Sequence, residues 1–312
     1  MTRLSGLRLT SVLLGAFFAV AVVAFLASAS QTPVVYTTAT TQVAGTVTDP
    51  TGRTWVADKV AGFCRVTEPT AGTAGLIEPS TCLGGGGPKQ GPRQPGAPAF
   101  VDPTTGSPGS GDEMVLIPDS APGSADVVRA EWRTSSRLFE YLGVLSVFDG
   151  DLRPRAVSYG ADRDAYVVFQ NARAIVRILD PTADQPDLET VAFAAGTNVQ
   201  AVAATEILSG NRITIYVAET SALRKFTPPT EGDLSSQGLS SSFGVGAVSS
   251  LVYDAQSNTL YAGTASAAAA GQDVVKRVNT TTGAIDSAWA TGLTRVTGLG
   301  LRGGELMVAD LH

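Results

Sequence analysis

Four acids, Asp49, Asp102, Glu206 and Asp254, fall at the ends of segments that recur along this 312-residue chain. Carboxylates gathered from several segments are hard oxygen donors, and the ion they would hold is a divalent metal such as calcium. The same residue types also close hairpins by accepting hydrogen bonds from their own backbone. Both readings stand at each of the four positions. The pairs Asp149/Asp151 and Asp162/Asp164 do not continue into a twelve-residue calcium loop, and the second pair reads as turn residues. Chemistry that depends on histidine is excluded, because the only histidine is His312. That removes His-based triads, H-E-x-x-H zinc sites and haem ligation. No G-x-S-x-G elbow or P-loop occurs. Gly298–Gly303 matches G-x-G-x-x-G, but a second strand-like run, Glu305–Ala309, follows at once where a dinucleotide site needs a helix. The match reads as a strand and its hairpin turn. Catalytic residues are therefore unknown, and no residue set marks a cofactor site.

Composition narrows the partners. The chain has 22 basic and 28 acidic residues, a net charge of −6, and its basic residues are scattered. That argues against nucleic acid, which needs clustered Lys and Arg. Met1–Thr10 carries Arg3 and Arg8 and no acid, and an uncharged apolar run follows from Val12 to Ala29. Ala27-Ser28-Ala29 has the A-x-A form of a cleavage site, so residues 1–29 read as a signal peptide or, if retained, a signal anchor. In either case the rest of the chain is expected outside the cytoplasm, with membrane contact only through that segment. In an oxidising compartment, Cys64 and Cys82, the only two cysteines, are expected to form one disulfide.

The elements that must position these residues follow from a repeat. Trp55-Val56-Ala57-Asp58 has looser echoes starting at Val115, Tyr166, Tyr216, Tyr261 and Met307, in steps of 60, 51, 50, 45 and 46 residues. Such a period fits an array of four-stranded blades. After a Thr-rich lead-in at 30–44, short alternating strands are expected from 45 to the end. Within 45–312, Gly/Pro-rich insertions at 84–99 and 103–112 form exposed loops. Ile77–Leu83 is expected as the fourth strand of the first blade, beside the strand that carries Cys64. Trp55, Trp132 and Trp289 read as packing between blades. The last unit supplies only Thr297–Leu301 and Glu305–Ala309. Either Val34–Thr38 adds a strand to it, or the chain is part of a longer product.

Several runs resemble NHL-type and YVTN-type six-bladed β-propellers. They are Trp55–Asp58, Tyr216–Glu219, the entry Arg153-Pro154-Arg155-Ala156-Val157, the run Ile175–Asp180 and the turn Val278–Gly283. The resemblance implies an all-β propeller of about six blades over residues 45–310, the last blade incomplete. Propellers of this kind serve as binding platforms, lactonases, lyases and quinoprotein-like enzymes. With no catalytic signature, the expectation is a binding module that meets a protein or small-molecule ligand at one face and carries no cofactor. The alternative is a lactonase- or lyase-type enzyme with a divalent metal on axial carboxylates.

Overall fold

A computed structural model describes residues 42–310, except 69, 71–74, 87–88, 102–112, 147–150, 194–198, 205–212, 220–221, 227–240, 265–272 and 303–304. The signal or anchor segment, Val34–Thr38, Asp102, Asp149, Glu206, His312 and the 103–112 insertion therefore lie outside the described residues. Among the described residues no helix is long and apolar enough to cross a membrane.

The chain is an all-β propeller. The first blade is β1 (Val43–Thr48), β2 (Thr54–Asp58) and β3 (Gly62–Arg65), paired in that order. The second is β4 (Ala99–Val101), β5 (Met114–Pro118), β6 (Asp126–Arg133) and β7 (Leu138–Ser146). The third is β8 (Pro154–Tyr159), β9 (Ala165–Phe169), β10 (Ala174–Ile178) and β11 (Leu188–Phe193). The fourth is β12 (Val199–Ala204), β13 (Ile215–Glu219), β14 (Leu223–Phe226) and β15 (Ser241–Phe243). The fifth is β16 (Val248–Asp254), β17 (Thr259–Thr264), β18 (Asp273–Asn279) and β19 (Ile285–Leu293). A two-stranded sheet, β20 (Val296–Arg302) and β21 (Glu305–Asp310), follows.

Burial explains why the repeat was visible. The echo strands β2, β5, β9 and β13 are buried along their whole length, because each is covered by a neighbouring blade on both faces and so reads as a continuous apolar run. Between the first two blades, Trp55 and Phe63 meet Trp132 and Phe139, with the Trp55 and Phe139 rings 5.0 Å apart edge to face. Trp289 packs on Tyr261 of the fifth blade and against a cluster shared with Val296 and Leu299 of the next sheet.

The innermost strands form a closed circuit, because β20 lies against β1 as well as against β16. Thr48 Oγ1 donates to the carbonyl of Leu301 across this seam at 3.1 Å. A Cβ on Gly298 would fall 2.7 Å from the backbone of Ala44, and one on Gly300 would fall 1.8 Å from Thr46 Oγ1. The G-x-G pattern is therefore a device for close strand approach, in agreement with the hairpin reading.

Two expectations need correction in the first blade. Ile77–Leu83 is not a strand. It is a single 3-10 turn, Pro79–Thr81, flanked by isolated bridges from Val66 to Ile77 and from Phe63 to Leu83. Pro79 lacks the N–H that a ladder needs. The Cys64–Cys82 disulfide forms as expected and ties β3 to this segment. The Gly/Pro run after it is docked in part rather than wholly exposed. The N–H groups of Gly84, Gly85 and Gly86 donate to the carbonyls of Lys89, Pro92 and Val60. Gly84 sits at φ +70° with its absent Cβ 1.9 Å from Pro92 O, a contact that only glycine permits.

Candidate functional site

Each blade has two ends, and the repeat places different residues at each. At the hairpin end, the aromatic residue that heads the second strand reaches back to the acid of the preceding turn. Trp55 Nε1 donates to Asp49 Oδ2 at 2.9 Å, and the Tyr166 hydroxyl donates to Asp162 Oδ2. Asp49 also accepts from the backbone N–H groups of Thr51 and Arg53. Asp254 accepts from Gln256 N and Ser257 Oγ. Asp49 and Asp254 thus lie in separate hairpins, each with its carboxylate engaged by its own turn. The structure does not bring these two metal candidates together. Among the described residues no three His, Cys, Asp or Glu side chains form a metal-binding group.

At the other end, the last residue of the second strand is often an acid that caps the chain entering the inner strand. Asp58 accepts from Gln42, Val60 and Ala61 N–H groups, Asp119 from Gln94 and Ala121, and Asp310 from Thr294 and Arg295. These bonds hold the entries to three inner strands. The acid of the repeated motif is therefore a backbone cap.

Immediately after that entry, the pairing slips by one residue at the same place in five sheets. The irregularity falls between Val43 and Gly45, Pro154 and Ala156, Val199 and Ala201, Val248 and Ser250, and Val296 and Gly298. A bulge leaves one residue unpaired and re-aims its side chain. Here the extra residues are Ala44, Arg155, Gln200, Ser249 and Thr297, and all five line one cavity of about 270 Å³. Gly96 lines it too, between the isolated Pro95–Asp119 bridge and β4. Five inner strands and the segment just before β4 therefore contribute to one axial mouth.

Two further sets complete the wall. Gln42, Gln94, Arg153 and Arg295 come from just before the inner strands, and Lys59, Ser120 and Gln170 from just after the second strands. Arg153 is paired with Asp151, Nε to Oδ1 at 2.9 Å. Lys59, Arg155 and Arg295 have no acidic side-chain partner among the described residues. Burial, then the charges of Arg155 and Arg295, hold the Lys59 ammonium below its ordinary pKa. Arg155 is likewise lowered, first by burial and then by Arg295. Among the described residues no carboxylate lines the cavity. A divalent cation does not fit this donor set, since like charges repel it and no anionic oxygen faces it.

The mouth was not named from sequence. Its residues share no motif, and their common feature is a register slip between two paired strands. The nearest signals were the place after the acid of Trp55–Asp58, which is Lys59, and the Arg153-Pro154-Arg155 entry.

No protein-family model matches the chain, and no curated protein matches it. Among solved structures it is similar to the PQQ-bound aldose sugar dehydrogenase of Streptomyces coelicolor. The match has 16% identity, covers 90% of this chain and 91% of that one, and has a TM-score of 0.58. It is also similar to virginiamycin B lyase of Staphylococcus aureus with quinupristin, at 13% identity over 89% and 80% of the two chains, TM-score 0.50. A gluconolactonase from Xanthomonas campestris matches at 12% identity over 70% and 68%, TM-score 0.46. At such identities the likeness shows the propeller fold alone.

Proposed function

We propose that this chain is an exported six-bladed propeller that acts as a binding module, with β20 and β21 as the inner half of the sixth blade. Its ligand enters the axial mouth at the bulged ends of the inner strands. The observation that carries this reading is the repeated bulge. A one-residue slip that recurs at one register position and points five side chains into one cavity spends ladder hydrogen bonds on a shared surface. Export rests on the basic flank, apolar run and Ala27-Ser28-Ala29 site, and mass spectrometry of the mature N-terminus tests it, a start near Ser30 supporting cleavage.

The binding reading is tested by plugging the mouth. Ala44→Trp and Ser120→Trp fill the cavity from different blades, so that a folding defect in one does not remove the test. Wild-type and plugged proteins that retain their circular dichroism spectra are screened by thermal shift against sugars, organic acids, phosphates and peptides. Compounds that stabilise only the open protein support the reading. A panel with no compound sensitive to either plug overturns it.

The enzymatic reading is favoured by the company of the fold, since a sugar dehydrogenase, a lyase and a gluconolactonase share its architecture. Its metal-dependent form requires carboxylates on the axis. Asp49 and Asp254 do not provide them, and the cationic mouth does not suit a metal. Metal analysis of the purified protein with calcium, magnesium and zinc titrations separates the two readings. A bound metal together with a thermal shift favours the enzyme.

A further inference from the structure

We infer that the ligand of the axial mouth is a compact organic or inorganic oxyanion with at least two negative oxygens, recognised by Lys59, Arg155 and Arg295. This deepens the binding reading above and rests on it. Three blades or blade entries deliver the cations. Lys59 follows β2, Arg155 is the bulge residue of β8, and Arg295 precedes β20. Residues so far apart in sequence meet only through the fold, and they meet against their own repulsion in a chain of net charge −6.

Elsewhere many of the described basic groups are paired or bonded, Arg129 and Lys276 to backbone carbonyls and eight arginines to acids. Arg65, Arg93, Arg133, Arg153, Arg177, Arg224, Arg277 and Arg302 each have a carboxylate within 4 Å. Asp58, Asp119 and Asp310 accept from backbone N–H groups, Asp119 from Arg93 as well, and are not among the residues that line the cavity. An incoming oxyanion supplies what the cations lack. It gains charge-assisted hydrogen bonds, bidentate ones with the arginines. Lys59 and Arg155 are half-buried, where water screens them less than at the open surface, and Arg295 is exposed at the rim. Gln42, Gln94 and Gln170 add neutral donors around it.

Size limits the class. A cavity of about 270 Å³ lies just below the usual range of small-molecule pockets. It suits a di- or tricarboxylate or a phosphate ester and excludes a folded macromolecule. Neutral sugars find donors among the glutamines there but bring no partner for Lys59, Arg155 and Arg295.

The test uses the chain from residue 30 onward, the form expected after export. Citrate, inorganic phosphate, glucose and a hexaglutamate peptide are titrated by calorimetry at low and high sodium chloride. Citrate or phosphate should bind with one site, weaken at high salt, and lose roughly tenfold or more in affinity in Arg155→Gln and in Arg295→Gln. Which of the two binds more tightly distinguishes carboxylate from phosphate as the source. Equal binding of citrate and phosphate by wild type and both variants overturns the inference, as does binding of hexaglutamate alone. If a neutral compound binds in a plug-sensitive way while no oxyanion does, the oxyanion inference fails and the binding reading survives. If nothing responds to the plugs, both fail. The glutamine variants keep a polar amide on a shorter stem and lose the charge and the guanidinium fork, and unchanged circular dichroism separates lost recognition from lost fold.

Discussion

The two ends of the propeller treat their polar residues in opposite ways. At the hairpin end Asp49, Asp162 and Asp254 are met by their own turns and, in two cases, by the aromatic ring of the next strand. At the mouth Lys59, Arg155 and Arg295 converge with no acidic partner among the described residues. Polar groups that satisfy one another contribute to stability, whereas like charges held together unpaired cost stability and are kept for something outside the chain. On the binding proposal, the difference gives architecture to one end and recognition to the other.

Substitutions at the two ends should therefore have effects of opposite sign. The largest loss is expected from Trp55→Ala, about 3–5 kcal/mol by denaturant unfolding, since it empties the contact between the first two blades and leaves Asp49 without its indole donor. A loss under about 1 kcal/mol would show that the hairpin anchor carries little. Replacing Cys64 and Cys82 together by serine should cost roughly 3 kcal/mol on the loop-entropy model, seen as a lower thermal midpoint. Asp254→Ala removes a turn cap that is more open to solvent than Asp49, and about 0.5–1 kcal/mol is expected.

At the mouth the sign reverses. Arg155→Gln should raise the stability of the ligand-free protein by roughly 0.2–1 kcal/mol, because it relieves repulsion with Lys59 and Arg295. The smallest effect is a pH dependence. The folded state holds Lys59 below its ordinary value of 10.5. Between the lowered pKa and 10.5 the unfolded chain therefore binds more protons than the folded one, so this group makes stability rise with pH across that window. Wild type should gain on Lys59→Gln as pH climbs towards 10.5, and a parallel pair of stability curves would contradict the assignment.

Much of the fold was legible because burial on both faces leaves apolar runs such as Tyr166–Phe169, and turn residues punctuate them. The disulfide was legible from the chain's only two cysteines, given the expectation of export. The missing fourth strand of the first blade was misread because Ile77 and Leu83 carry the apolar pattern while Pro79 breaks the ladder between them. The glycine run looked like a free linker because sequence does not show that Gly84 and Gly85 bond to Lys89 and Pro92. The site was the least legible part. A carboxylate at a strand end reads the same whether it binds a metal or its own backbone, and Asp49 proved to do the latter. Arg155 is an ordinary strand arginine until the register slips beside it.

The most direct measurement is the thermal midpoint of wild type and of the Lys59→Gln/Arg155→Gln double variant, each with and without citrate. The account predicts that wild type starts lower and rises with citrate, while the double variant starts higher and does not move. A double variant that starts lower and responds to citrate as wild type does would contradict it.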